Sequence, residues 1–460
     1  MVLLEAKTQY GWLRGKRLSD SATGFFGIAY AQPPVEEKRW TYPVRPACWD
    51  GIRSAECFGS VAPQGMHVPM QNSVAWRYKP PYDTIDFQES EDCLYLNLWT
   101  PAGTEDAGLP VLFWIPGGGF TGGHPSEPLY SGEAVAKKGV ILVAVQHRLG
   151  ALGFLSHPML EAKHGHSGNY ALYDLLAALD WVQENIAAFG GNPGNVTIAG
   201  QSSGCVAVQT LLQCPLAKGK FRRAIMQSGR ALESGDEMDT SDSSLKKGEV
   251  FIQAMGAKTL EDMYRLQPDD LFQMQRKLRE SYRGPHGEKL VPEQKNPGRL
   301  LYHTEEGVMP ELLDEAALLG INADVDILIG SCLDDGGPKN AAIRGNSAML
   351  WCQHQIKMGN KPSYLYLFAR RVPGNPYGAH HSAELPYQFG NLKRIDLPYQ
   401  QEDYRLSDIM LSYWTNFARS GDPNGEGLPV WKAYTQDTPM RMRLDTLCQM
   451  EYCFDIAEKP

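Results

Sequence analysis

Five apolar segments of strand length recur along the chain, and each stops at glycine or turn residues. PVLFWI (110–115) runs into PGGGFTGG, GVILVAVQHRLG (139–150) ends in a loop, and NVTIAG (195–200) runs into QSSG. DVDILIG (324–330) runs into SCLDDGG, and PSYLYLFAR (362–370) precedes a Pro/Gly loop. Runs with so few polar breaks suit strands covered on both faces, an arrangement found almost only in a mostly parallel sheet whose crossovers are helices. The helices fit that role. In ALYDLLAALDWVQENIAAFG, Leu172, Leu175, Leu176, Leu179, Val182 and Ile186 recur at spacings of three and four, giving one apolar face that Gly190 and Gly191 end. Strands alternating with helices predict an α/β fold. No repeat or linker divides the 460 residues, so one domain over 1–460 is expected. The stretch from about 230 to 320, richer in charge and weaker in strand signals, is expected to form peripheral helices and loops beside the sheet.

A hydrophobic content of 43% with 21% charged residues is that of a globular chain. The formal net charge of -9 opposes nucleic-acid binding, which depends on Lys and Arg neutralising phosphates. The longest aliphatic run, Val140 to Val145, falls far short of a membrane span, and the opening MVLLEAKTQYGW breaks its apolar run at Glu5, unlike an export signal. A soluble, cytoplasmic protein is the expectation. Nine cysteines are too sparse for a disulfide scaffold, and none has a zinc-ligand spacing, so neither a metal nor a cofactor is expected.

One stretch suggests chemistry. In IAGQSSGC (198–205) only Ser202 has a glycine two residues away on both sides, Gly200 and Gly204, and the stretch joins the strand-like NVTIA to the helix-like SGCVAVQTLLQCPL. A serine on so tight a strand-to-helix turn is the pattern of an exposed nucleophile, with the N–H of the next residue, Ser203, available to a developing oxyanion. A serine hydroxyl needs a base to take its proton, and the base needs a third group to orient it, in the chain order Ser, acid, His for a serine placed this way. That order is present. Asp334 and Asp335 follow the strand DILIG, and His380 and His381 lie in NPYGAHHSAELPYQFG. Either member of each pair satisfies the order. The loop PGGGF after VLFWI can supply further N–H donors, and no GxxxxGK[ST] sequence marks it as a phosphate loop.

The chain also resembles the type-B carboxylesterase and cholinesterase family of α/β-hydrolases nearly end to end. The resemblance is carried by FFGIAYAQPPVEEKRW, SEDCLYLNLWTP, PGGGFTGG, VQHRLGALGFL, the long block ending AGQSSG, MQSG and YWTNFARSGDPN. It implies Ser202 as nucleophile, Asp335 rather than Asp334 as acid, and His381 rather than His380 as base. It further implies Gly118, Gly119 and Ser203 as oxyanion donors and Ser228 as support behind the site. The implied activity is cofactor-free hydrolysis of small-molecule carboxylic esters through an acyl-enzyme.

The departures from the family pattern carry their own expectations. Gln201 and Ser203 stand where the family usually reads Glu and Ala, which removes a carboxylate beside the nucleophile and favours neutral short-to-medium acyl esters over choline esters. Aspartate replaces glutamate at 335, and Pro116 stands where His or Tyr often precedes the glycines. Cys93 matches a cysteine that is disulfide-bonded in secreted members, but Ala62 occupies the expected partner position, which implies a reducing compartment. Two alternatives share the same motifs: a hydrolase of amides or specialised natural-product esters, and a non-catalytic, cholinesterase-like binding protein.

Overall fold

The computed structural model describes residues 2–65, 87–229, 231–232, 238–282 and 295–453. Among them, thirteen strands form one mixed sheet. Across it run Glu5–Lys7, Trp12–Ser19, Ala22–Ala29, Tyr95–Thr100, Ile141–Val145, Leu109–Ile115, Gly191–Gln201, Arg223–Gln227, Asp326–Cys332, Tyr364–Phe368, Met440–Leu444 and Gln449–Tyr452, with Ile52–Ala55 beside Trp12–Ser19. From Ile141–Val145 to Met440–Leu444 every neighbouring pair is parallel. The other outer pairs are antiparallel except that of Ile52–Ala55 with Trp12–Ser19, which is parallel.

The apolar runs are continuous because both faces of the parallel strands are covered. Val111, Phe113 and Ile115 join one core while Leu112 and Trp114 join the other, and Ile141, Val143 and Val145 alternate with Leu142 and Ala144 in the same way. The first core is closed by the helix Tyr170–Asn185, which supplies Leu172, Leu175, Leu179 and Val182, and by Ser203–Gln213. Gln401–Ser420 closes the second with Leu406, Met410, Trp414 and Phe417. Helices Ser241–Met255, Leu260–Arg265, Pro268–Ser281 and Leu313–Leu318 lie in the charge-rich stretch, which adds no strand to the sheet among its described residues; 230, 233–237 and 283–294 of that stretch fall outside them. The strands WLRGKRLS and MRMRL interleave charged with apolar residues and carry no continuous apolar run.

This topology gathers four loops. The loops that leave Leu109–Ile115, Gly191–Gln201, Asp326–Cys332 and Tyr364–Phe368 all start at the carboxyl ends of parallel strands, the edge where open α/β sheets place their sites.

All nine cysteines are free thiols, and Cys93 is fully buried. Ala62 and Cys93 line the same narrow void. Burial pushes the Cys93 thiol well above its ordinary pKa, which suppresses the reactive thiolate. In non-reducing buffer, a thiol reagent is therefore expected to modify the exposed Cys48 and Cys57 rapidly in the native protein and all nine thiols only after unfolding. A Cys57–Cys93 disulfide peptide in the digest would contradict this.

Candidate active site

The strand Gly191–Gln201 ends one residue before Ser202, and the helix Ser203–Gln213 starts one residue after it. Turning a strand into a helix within a single residue forces Ser202 to φ 59° and ψ -124°, a conformation that costs a non-glycine residue about 1–3 kcal/mol. Packing holds it there. The Ser202 N–H donates to the Gln227 carbonyl at 2.9 Å, and its own carbonyl accepts from Cys205 and Val206 at 3.0 and 3.2 Å. The turn is so compact that a Cβ on Gly200 would lie 2.3 Å from the Gly204 carbonyl oxygen, and one on Gly204 would lie 2.2 Å from the Ile115 oxygen. Side chains are thus excluded on both sides of Ser202, whose hydroxyl is left at the sheet edge.

The glycine loop lies against this turn because Ile115 pairs with Gly200 across the sheet. A Cβ on Gly117 would fall 3.1 Å from the Ser202 Cβ. The loop is braced from within, with the Gly118 carbonyl accepting from the Thr121 and Gly122 N–H groups at 3.2 and 3.0 Å, and from outside, with the Gly123 N–H donating to Gln64 Oε1 at 2.8 Å. Among the described residues, the Gly118 and Gly119 N–H groups have no acceptor. Ser203, as the first residue of its helix, likewise has no intrahelical acceptor for its N–H. Gly119 and Ser203 line the same cavity as Ser202, at a positively polarised helix end.

His381 Nε2 lies 2.8 Å from Ser202 Oγ, and His381 Nδ1 lies 2.6 Å from Asp335 Oδ1. A carboxylate only accepts, so Nδ1 donates to Asp335 and Nε2 is left to accept from the serine hydroxyl. Asp335 is fully buried. Burial alone would raise its carboxyl pKa, but the His381 charge and hydrogen bond, together with the Arg344 guanidinium, outweigh that and leave it below the ordinary value. Arg344 Nη1 also donates to Asp335 Oδ1. Sequence reasoning missed Arg344, which lies on the helix Pro338–Lys357 and belongs to no motif.

The other member of each pair is placed differently. Asp334 Oδ2 accepts the Ala379 N–H at 2.8 Å, while the Asp334 N–H donates to the Ala379 carbonyl at 3.0 Å, so this side chain clasps the histidine loop to the aspartate loop. His380 is buried, with Nδ1 2.8 Å from the His381 carbonyl oxygen and Nε2 3.1 Å from Asn375 Nδ2.

Gln201 and Ser228 stand one step back. The Gln201 amide nitrogen is 3.3 Å from His381 Nε2 and 3.5 Å from Nδ1, and the side chain is buried under the imidazole. Ser228 Oγ donates to Glu384 Oε1 at 3.1 Å, and Cys332 Sγ donates to Glu384 Oε2 at 2.8 Å. Burial raises the Glu384 carboxyl pKa, and the neighbouring Asp335 charge adds to the rise. Ser228 therefore braces a buried carboxyl group, and Asp335 Oδ2 has no hydrogen-bond partner among the described residues. Glu384, three residues after His381, was given no role by the sequence reading.

A model of the carboxylesterase family matches residues 4–350 and 340–453. The chain belongs to the carboxylesterase family. It is 30% identical to the para-nitrobenzyl esterase of Bacillus subtilis (strain 168), over 96% of this chain and 95% of that protein. To carboxylesterase 4A of Bos taurus it is 33% identical, covering 94% and 90% of the two chains. A solved thermophilic PNB esterase superposes with a TM-score of 0.82 at 28% identity, covering 97% of each chain. The protein is thus a carboxylic-ester hydrolase of the α/β-hydrolase superfamily, and a catalytic triad and oxyanion hole are implied by its family.

In this carboxylesterase Ser202 opens onto a cavity of about 200 Å³. Gly119, Ser203 and Ser228 line it beside the serine, Phe120, Val206, Leu300 and Leu301 give it apolar walls, and Arg279, Arg299 and Arg344 line it as well. Gln201 is absent from that lining, because its side chain is turned under His381. The removal of a carboxylate at 201 therefore bears on the histidine more directly than on a substrate.

Proposed function

We propose that Ser202 is the nucleophile of this esterase, His381 its general base and acid, and Asp335 the group that orients and steadies the imidazole. The single observation that carries this is the unbroken line from Ser202 Oγ through His381 Nε2 and Nδ1 to Asp335 Oδ1, at 2.8 and 2.6 Å. Ser202 Oγ attacks the ester carbonyl as its proton passes to His381 Nε2. The oxyanion forms against the N–H groups of Gly118, Gly119 and Ser203. Collapse of the tetrahedral adduct breaks the C–O bond, and His381 returns the proton to the departing alcohol. Water then attacks the acyl-enzyme, giving its proton to His381, and the acid leaves as Ser202 is reprotonated. The fully buried acid and the strained serine are the two features a surface hydrogen-bond chain would lack.

An organophosphonate should label the protein stoichiometrically with loss of esterase activity, and the adduct should map to the peptide containing Ser202. Labelling at any other serine would remove the assignment. We further propose that the enzyme acts in the cytoplasm, a reading supported by nine free thiols and by the alanine that lines one void with Cys93.

A further inference from the structure

The cavity beside Ser202 has an unusual electrostatic lining for an ester site. Among the described residues that line it there are three arginines and no carboxylate. The arginines come from separate elements: Arg279 from the last turn of Pro268–Ser281, Arg299 from the segment after it, and Arg344 from the helix Pro338–Lys357. Their convergence is enforced by packing. Gly298 lies so close to the helix that a Cβ there would fall 2.3 Å from the Arg279 nitrogen and 2.6 Å from the Gln275 oxygen, and Gln275 is itself anchored, its Oε1 accepting the Ala151 N–H at 3.1 Å. None of the three is without other interactions. Arg344 pairs with Asp335, and Arg279 and Arg299 have partners of their own. A guanidinium carries five donors, and the Arg344 Nε is buried without an acceptor among the described residues.

We propose that the enzyme prefers esters that carry a carboxylate, on the acyl or the alcohol portion, and that Arg279, Arg299 and Arg344 receive that carboxylate while Ser202 acts on the ester. The proposal rests on Ser202 being the nucleophile. Its physical basis is that paired N–H donors of a guanidinium match a carboxylate in geometry as well as charge, in a partly desolvated cavity where charge-assisted bonds are strongest. Volume limits the chain length. About 200 Å³ is below the roughly 300–1,000 Å³ of sites that take drug-sized ligands, so the portion seated there is short. The apolar walls from Phe120, Leu300 and Leu301 suit a few methylenes between the ester and the carboxylate.

The test compares three esters on the wild type by alcohol or acid release: monoethyl glutarate, with the carboxylate on the acyl side; butanoyl glycolate, with it on the alcohol side; and neutral ethyl pentanoate. At least one anionic ester is expected to exceed ethyl pentanoate in kcat/KM by about tenfold, the worth of one charge-assisted hydrogen bond, and the favoured arm tells which portion the arginines hold. The preference should narrow as ionic strength rises, a measurement that needs no variant. Arg279→Gln and Arg299→Gln should each lower the anionic-to-neutral ratio by about tenfold, with thermal unfolding followed in parallel. If the wild type hydrolyses ethyl pentanoate at least as well as both anionic esters, the arginine reading is overturned while the esterase reading stands. If the purified protein hydrolyses none of the three, both fall.

Discussion

Ser202→Ala should reduce ester hydrolysis to background, a loss on the order of 10⁵–10⁶ in kcat, because removal of a nucleophile leaves only the modest help of the donors around it. Ser203→Ala should keep most of the activity, within about tenfold, since the group Ser203 contributes is a backbone N–H that alanine retains. The two serines are adjacent in sequence and differ only in where the turn places them: Ser202 at φ 59°, one residue outside the helix, and Ser203 at its first position. A third variant separates chemistry from folding. Ser202→Gly should be as inactive as alanine but more stable than the wild type by about 1 kcal/mol, because glycine adopts that φ and ψ without the crowding a Cβ creates. Steady-state rates and thermal unfolding on the three variants check the set. An active Ser202→Ala, or an inactive and folded Ser203→Ala, would reassign the nucleophile.

The central strands were legible because cover on both faces leaves an apolar run without alternation, and its short length between turn residues separates it from a buried helix. Leu109–Ile115 and Ile141–Val145 carry it, and the structure has them at the middle of the sheet. Trp12–Ser19 and Met440–Leu444 are partly solvated and alternate with arginines and lysines, so the same criterion passes over them. At the site, the turn around Ser202 was readable from its glycines because their reason is local: each Cβ would collide with backbone within a few residues or on the adjoining strand. Arg279, Arg299 and Arg344 have no such local reason. They meet at one cavity only because a helix, the segment that follows it and a helix after the sheet's ninth-placed strand pack together, and nothing in the spacing of 279, 299 and 344 encodes that meeting. Glu384 illustrates the intermediate case, lying in the histidine loop's sequence but showing its contacts with Ser228 and Cys332 only in three dimensions.

Asp335→Asn and His381→Ala are expected to cut kcat by on the order of 10³–10⁴ or more, while Asp334→Asn and His380→Ala cost about tenfold or less. The paired aspartates separate because an amide cannot do what the carboxylate at 335 does. Asp335 Oδ1 accepts from both His381 Nδ1 and Arg344, so an asparagine with its oxygen in that place loses the charge, and one with its NH2 there meets both donors with N–H groups. The imidazole would then lose the tautomer that leaves Nε2 free to accept from Ser202. At 334 the demand is only for an acceptor, since Oδ2 takes the Ala379 N–H at 2.8 Å and an asparagine oxygen does the same. The histidines separate on position. His381 spans Ser202 and Asp335, whereas His380 is held in the loop interior by Asn375 and the His381 carbonyl, so its loss leaves a buried gap and a softer loop with the reacting groups still present. His380→Ala should therefore appear chiefly as a lower unfolding temperature, and His381→Ala chiefly as lost turnover in a protein that unfolds near the wild-type temperature. Rates and unfolding curves on the four variants decide the matter, and a reversed ranking within either pair would shift the acid or the base by one residue.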